Sequence, residues 1–153
     1  MAVSPSSATI DALIGFCRRE LAAVESYRQS LSSLNPGTYT PVLAKCLRSH
    51  EQRAEFFKSR LRALQAEPPP SAGMLGTFMR IVEGAAAAIS PRVAIAALQE
   101  EEELLLRHYR GHVGDLDSES QQEIRRSAMP AQLETQTLMN DLRHGERAPT
   151  PST

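Results

Sequence analysis

The sequence predicts an all-α protein, a bundle of four helices. Apolar residues recur at three-and-four spacing along four stretches, and no stretch sustains the alternation of a half-buried strand. The punctuation between the stretches is Pro, Gly and Asn. A chain of 153 residues is one domain's length, and 41% hydrophobic with 23% charged residues is a globular composition.

The first helix is read from Ser7 to Leu34. Its stripe is Ile10, Leu13, Ile14, Cys17, Leu21, Val24, Leu31 and Leu34, and Asn35-Pro36-Gly37 ends it. Pro41 suits the first turn of the second helix, where a missing N–H forfeits no hydrogen bond. That helix carries Leu43, Cys46, Leu47, His50, Ala54, Phe57, Leu61 and Leu64 until Pro68-Pro69-Pro70. Consecutive prolines favour extended backbone, so Glu67–Gly73 is a stiff linker, and a short amphipathic helix from Met74 to Ala88 follows it. Ser90 is the expected N-cap, and Pro91 the first residue, of a third long helix reaching Leu116. The fourth is read from Ser120 to Arg143, with Pro130 inside it as a kink or a break. Residues 1–7 and 144–153 are polar and are expected to be flexible ends of a domain spanning 8–143.

Short loops join helices one to two and three to four, so each pair is expected to be an antiparallel hairpin. The stretch from Glu67 to Pro91, about 25 residues and partly helical, is long enough to cross the bundle. Two antiparallel hairpins joined by one long, partly helical crossover is the ferritin-like arrangement among four-helix bundles.

Seventeen Lys and Arg against eighteen Asp and Glu leave a net charge of -1. That offers no basic footprint for nucleic acid and no polybasic signal for a membrane. No apolar run approaches the ~20 residues of a membrane-spanning helix, and Met1–Ser7 is too polar for a secretory signal. Cys17 and Cys46 do not make a disulfide framework. In an antiparallel hairpin they are offset by roughly 10 Å along the axis, beyond the ~7 Å Cα separation a disulfide tolerates. The expected setting is the cytoplasm.

The informative residues are ionisable groups inside apolar stripes. Glu20 shares a heptad lane with Leu13, Tyr27 and Leu34, and His50 shares one with Leu43, Phe57 and Leu64. Of the run Glu100–Glu103, only Glu102 falls near the centre of the third helix's stripe (Ile95, Leu98, Leu105, Leu106, Tyr109, Val113), with Glu101 toward its edge. An unpaired buried carboxylate costs several kcal/mol by order of magnitude, so these groups are expected to meet. Tyr27 and Tyr109, each seven residues after its glutamate, are placed to hydrogen-bond to them. Thr135 lies on the inner face of helix four, with Gln132 and Gln136 nearer its edges.

Glu20, His50 and Glu102 then have two readings. One is a hydrogen-bonded cluster that sets helix register. The other is a single-metal site for Fe, Zn or Mn with Tyr27, Tyr109 and Thr135 around it. Ser49-His50-Glu51 matches three letters of a kinase phosphoacceptor box, but the next residues, Gln52-Arg53-Ala54, depart from it and the imidazole faces inward. His108, His112 and His144 read as rim histidines, although His108 and His112 have the spacing of a two-histidine metal face.

From Ile10 to Leu142 the chain resembles a bacterial ferritin-like family of unknown function. The residues that carry the likeness are Arg48-Ser49-His50 with Leu61 following, the Pro-rich crossover, and Glu102 with Tyr109 one heptad on. The resemblance implies a ferritin-like bundle and no activity. The di-iron pattern of such bundles takes a Glu from each of two helices and Glu-x-x-His from each of the others. Here Leu47 stands three residues before His50, and Glu134 is followed three residues later by Thr137. About half of the six-ligand set is missing. The expectation is a non-catalytic bacterial protein with a degenerate metal centre and no cofactor. Its role would be binding or assembly, in a stress setting, as a homodimer whose apolar crossover residues are covered by the second copy. The alternative is a metal-binding oxidoreductase or iron-handling protein that holds one ion through Glu20, His50 and Glu102.

Overall fold

The computed structural model describes residues 6–73 and 90–147; the helix expected from Met74 to Ala88, and the expected flexible ends at 1–5 and 148–153, lie outside the described residues. All regular structure among the described residues is helical, in four rods without a strand. No described helix is long and apolar enough to cross a membrane.

Local chemistry sets the ends of each rod. Helix α1 (Ser7–Ser33) starts where the Ser6 hydroxyl accepts the Thr9 N–H, and it closes with the Leu34 N–H donating to the Ser30 carbonyl. Helix α2 (Thr40–Ala63) has Pro41 in its first turn. It ends at Ala63, before the prolines that punctuate the sequence. Gln65 takes a left-handed φ of 57°, the Ala66 N–H donates to Leu61 O at 2.9 Å, and the Gln65 N–H donates to Arg62 O at 2.9 Å. This is a Schellman closure with glutamine where glycine is usual. Helix α3 (Pro91–His112) is capped by Ser90, whose hydroxyl accepts the Val93 N–H at 3.3 Å. It passes into one 3-10 turn, Val113–Asp115, before reaching Leu116.

The fourth rod is α4 (Ser118–Glu123), a π turn (Ile124–Ala128) and α5 (Met129–Arg147), with helical backbone throughout. The Asp117 carboxylate caps it by accepting the Ser120 N–H at 2.7 Å. Pro130 does not split the rod. A proline lacks the N–H for residue i−4 and its ring clashes with that carbonyl, here Arg126. The wider turn lies directly ahead of it, and the Met129 N–H donates to Ile124 O, one residue further back than in an α-helix.

Helix α1 packs chiefly on α2, and α3 on α5. The apolar core is in two parts. One gathers Leu13, Phe16, Phe57, Leu61, Leu105 and Ile124, with Phe16 and Phe57 stacked at 5.3 Å. The other gathers Tyr27, Leu43, Cys46, Ile95, Leu98 and Met139. Cys17 and Cys46 are both free thiols in this core. Along every rod, the residues between the two apolar parts are polar and buried: Glu20 on α1, His50 and Arg53 on α2, Glu102 on α3, and Gln132 and Thr135 on α5.

Candidate functional site

These six side chains form one hydrogen-bonded layer across the bundle. His50 bridges two helices. Its Nδ1 lies 2.7 Å from Glu20 Oε2 and its Nε2 lies 2.7 Å from Glu102 Oε1. Arg53, one turn further along α2, donates from Nη1 to Glu20 Oε1 at 3.2 Å and to Gln132 Oε1. From Nη2 it donates to Thr135 Oγ1 at 3.1 Å. The expected tyrosines take their places: Tyr27 donates to Glu102 Oε1 at 2.6 Å, and Tyr109 donates to Glu20 Oε1. On the fourth rod, Gln132 Nε2 and Thr135 Oγ1 each lie 2.8 Å from Glu102 Oε2 and donate to it, and Gln132 also reaches the Glu102 carbonyl at 3.0 Å.

The electrostatics follow from this geometry. Burial opposes a charge on His50, but Glu102 and Glu20 outweigh burial and the repulsion of Arg53, so its pKa rises to about 9. Burial opposes the Glu102 carboxylate as well, and His50, Tyr27 and Arg53 outweigh it and lower its pKa to about 2. At neutral pH His50 is therefore an imidazolium that donates from both ring nitrogens. Two carboxylates face two cations, and the layer is neutral overall. Burial pushes the hydroxyls of Tyr27 and Tyr109 well above their ordinary range, and the carboxylates beside them push the same way, so both remain donors. Beside the layer, Glu101 shares its Oε1 with the Ser26 hydroxyl at 3.2 Å, and burial raises its pKa to about 7.

Glu20, His50, Glu102, Tyr27, Tyr109 and Thr135 all converge here, as the heptad lanes imply. Two participants escape a sequence reading. Gln132, expected nearer the edge of its helix, is fully buried. Arg53 reads as a surface residue because long cationic side chains usually carry their charge out to water; here it is 4% exposed. Away from the layer, His108 rests edge-on against Phe16 with its Nε2 buried and without a hydrogen-bond partner, while His112 Nδ1 pairs with Asp115 Oδ2 at 3.0 Å.

These residues do not fit a metal ion as they stand. The imidazole stands between the two carboxylates, not beside them, so the three groups do not converge on one point. Among the described residues no group of three or more His, Cys, Asp or Glu does so. Both oxygens of Glu102 already accept two hydrogen bonds each. A guanidinium lies against Glu20, Gln132 and Thr135, where an ion would need an open face. What the arrangement does chemically is hold buried charge of both signs in fixed positions. Comparison of the chain with protein-family models, with curated proteins and with solved structures finds no match.

Proposed function

We propose that this chain is a ferritin-like bundle, two antiparallel hairpins joined by a crossover, that works by binding or assembly and not by catalysis. The contacts Phe16–Phe57, Glu20–Arg53 and Arg28–Glu51 run in opposite directions along α1 and α2 and support an antiparallel first hairpin. The observation that carries the function is the closed polar layer. Each ring nitrogen of His50 and each carboxylate oxygen of Glu20 and Glu102 is already engaged by a neighbouring side chain. Within the layer that leaves no acid or base free to act on a substrate and no open face for an oxidant. The layer ties all four rods together, which suits a scaffold whose partners bind its outside.

The proposed partner is a second copy of the chain in the cytoplasm. Val93 and Leu104, half-exposed and three turns apart on one face of α3, support a homodimer. Elemental analysis of the purified, tag-free chain tests the reading, with light scattering on the same sample. The expected result is no stoichiometric metal after dialysis against a weak chelator, and the mass of a dimer. Near-stoichiometric iron, zinc or manganese that Glu102→Ala removes returns the chain to the metal-binding oxidoreductase or iron-handling class.

A further inference from the structure

The six residues of the polar layer have a spacing of their own. One comes from α1 (Glu20), a pair three apart from α2 (His50 and Arg53), one from α3 (Glu102), and a pair three apart from α5 (Gln132 and Thr135). One glutamate on each of two helices, and an i, i+3 pair on each of the other two, is the layout of a carboxylate di-iron centre. The sequence pattern read backwards from His50 meets Leu47 and misses this; read forwards, it meets Arg53. Every position of the set is filled by a polar side chain pointing into one layer, with His-x-x-Arg and Gln-x-x-Thr where a metal centre has Glu-x-x-His.

We infer that the Arg53 guanidinium is a resident cation in the place of metal, and that its removal opens the layer to divalent ions. Three contacts support this. Its nitrogens lie against Glu20 on α1, His50 on its own helix, and Gln132 and Thr135 on α5, so it joins three of the four helices a bound ion would join. Its positive charge offsets carboxylates that would otherwise be unbalanced in a buried layer, the work a metal ion does in such a site. There is also a way in: a cavity of about 180 Å³ opens beside Arg53 between Ser49, Gln52 and Phe56 on α2 and Ser127 and Ala128 on the π turn. Shortening the side chain joins that cavity to the carboxylates. This inference rests on the reading of the wild-type layer as metal-free, and deepens it.

The test uses Co²⁺ and Zn²⁺ as probes on the full chain. Arg53→Ala, and separately Arg53→His with Gln132→Glu, are compared with wild type and with Arg53→Lys, which keeps a cation in place. The expected result is visible Co²⁺ absorption near one equivalent for both opened variants, with affinity at least about tenfold above wild type and Arg53→Lys. Their melting temperatures should rise by several degrees with Zn²⁺, because an ion that binds only the folded chain stabilises it. Helical variants that bind no better than wild type overturn the inference and leave the reading of the wild-type layer intact. Stoichiometric binding by wild type overturns that reading instead. If a variant is unfolded without metal, refolding with Zn²⁺ decides: recovered helicity supports the inference and its absence overturns it.

Discussion

Nη2 of Arg53 lies 3.1 Å from Nδ1 of His50, so two positively charged side chains touch inside the bundle. Like charges at that distance repel strongly where water is excluded. The contact persists because each cation also meets a carboxylate: His50 meets both Glu20 and Glu102, and Arg53 meets Glu20. Removing any one member leaves an uncompensated charge, which costs about 3–5 kcal/mol in buried ion pairs.

Stability should therefore fall with alkali. The pKa of His50 is raised, to about 9 from an ordinary 6.5, so its contribution is fully present below 6.5 and is lost as the pH rises through 9. Such a shift corresponds to about 3 kcal/mol, of which about 2 is lost between pH 7 and pH 9. Glu102, lowered to about 2, reports the same ion pair from the acid side: its contribution holds above 4.5 and is lost as the pH falls through 2. Burial raises Glu101 to about 7, so its contribution is present below 4.5 and fades as the pH rises through 7. Burial lowers His108 to about 4, which acts in the opposite direction below 6.5. The window that isolates His50 is pH 7 to 8. Burial pushes the Cys17 and Cys46 thiols up to about 11 and 12, and their contribution begins to be lost in the same direction as the pH nears 9. Urea midpoints should drop across it in wild type and in Glu101→Gln alike; a flat profile there contradicts a protonated His50.

The two tyrosines should differ. Tyr109→Phe leaves Glu20 with His50 and Arg53 as its donors, whereas Tyr27→Phe leaves Glu102 with His50, Gln132 and Thr135. A hydrogen bond to a charged partner contributes about 1.5–3 kcal/mol. Both substitutions are expected to destabilise, Tyr109→Phe by more. Equilibrium urea unfolding measures each, and losses below about 0.5 kcal/mol would mean the hydroxyls are not bonded to the carboxylates.

How much of this is legible in sequence depends on the residue. Glu20, His50 and Glu102 stand out because each is a lone ionisable group in an apolar lane, and periodicity alone brings them inside. Arg53 does not stand out, since an arginine at the margin of a stripe reads as solvated. Gln132 does not stand out either: it is a neutral amide read nearer the edge of its helix, and only the structure brings it fully inside beside Thr135. The end of α2 is similar. Prolines 68–70 are the loudest punctuation, yet the helix closes at Ala63 through a left-handed Gln65 that no glycine announces.

That closure gives a stabilising substitution. An L-residue in the left-handed region costs roughly 1 kcal/mol, a cost glycine avoids. Gln65→Gly should therefore stabilise the chain by about 0.5–1 kcal/mol in spite of the freedom it adds to the unfolded state. Gln65→Ala keeps the strain and should not stabilise. Paired urea titrations distinguish them, and equal effects would show that the turn carries no left-handed strain.

Pro130 tests the fourth rod in the same terms. In an α-helix interior a proline costs about 3 kcal/mol, through the lost hydrogen bond and the clash with residue i−4. If that strain persisted here, Pro130→Ala would recover most of it. The π turn Ile124–Ala128 lies where the clash would fall, so the strain has already been relieved. The turn has a reason to stay after substitution as well: removing it would rotate Gln132 and Thr135 by about 100° away from Glu102, undoing their hydrogen bonds to its Oε2. Pro130→Ala is therefore expected to destabilise slightly, by about 0.4–1 kcal/mol, because alanine frees the unfolded chain without improving the folded one. A gain of more than about 1 kcal/mol in urea unfolding would place the strain back in the helix and remove this account of the π turn.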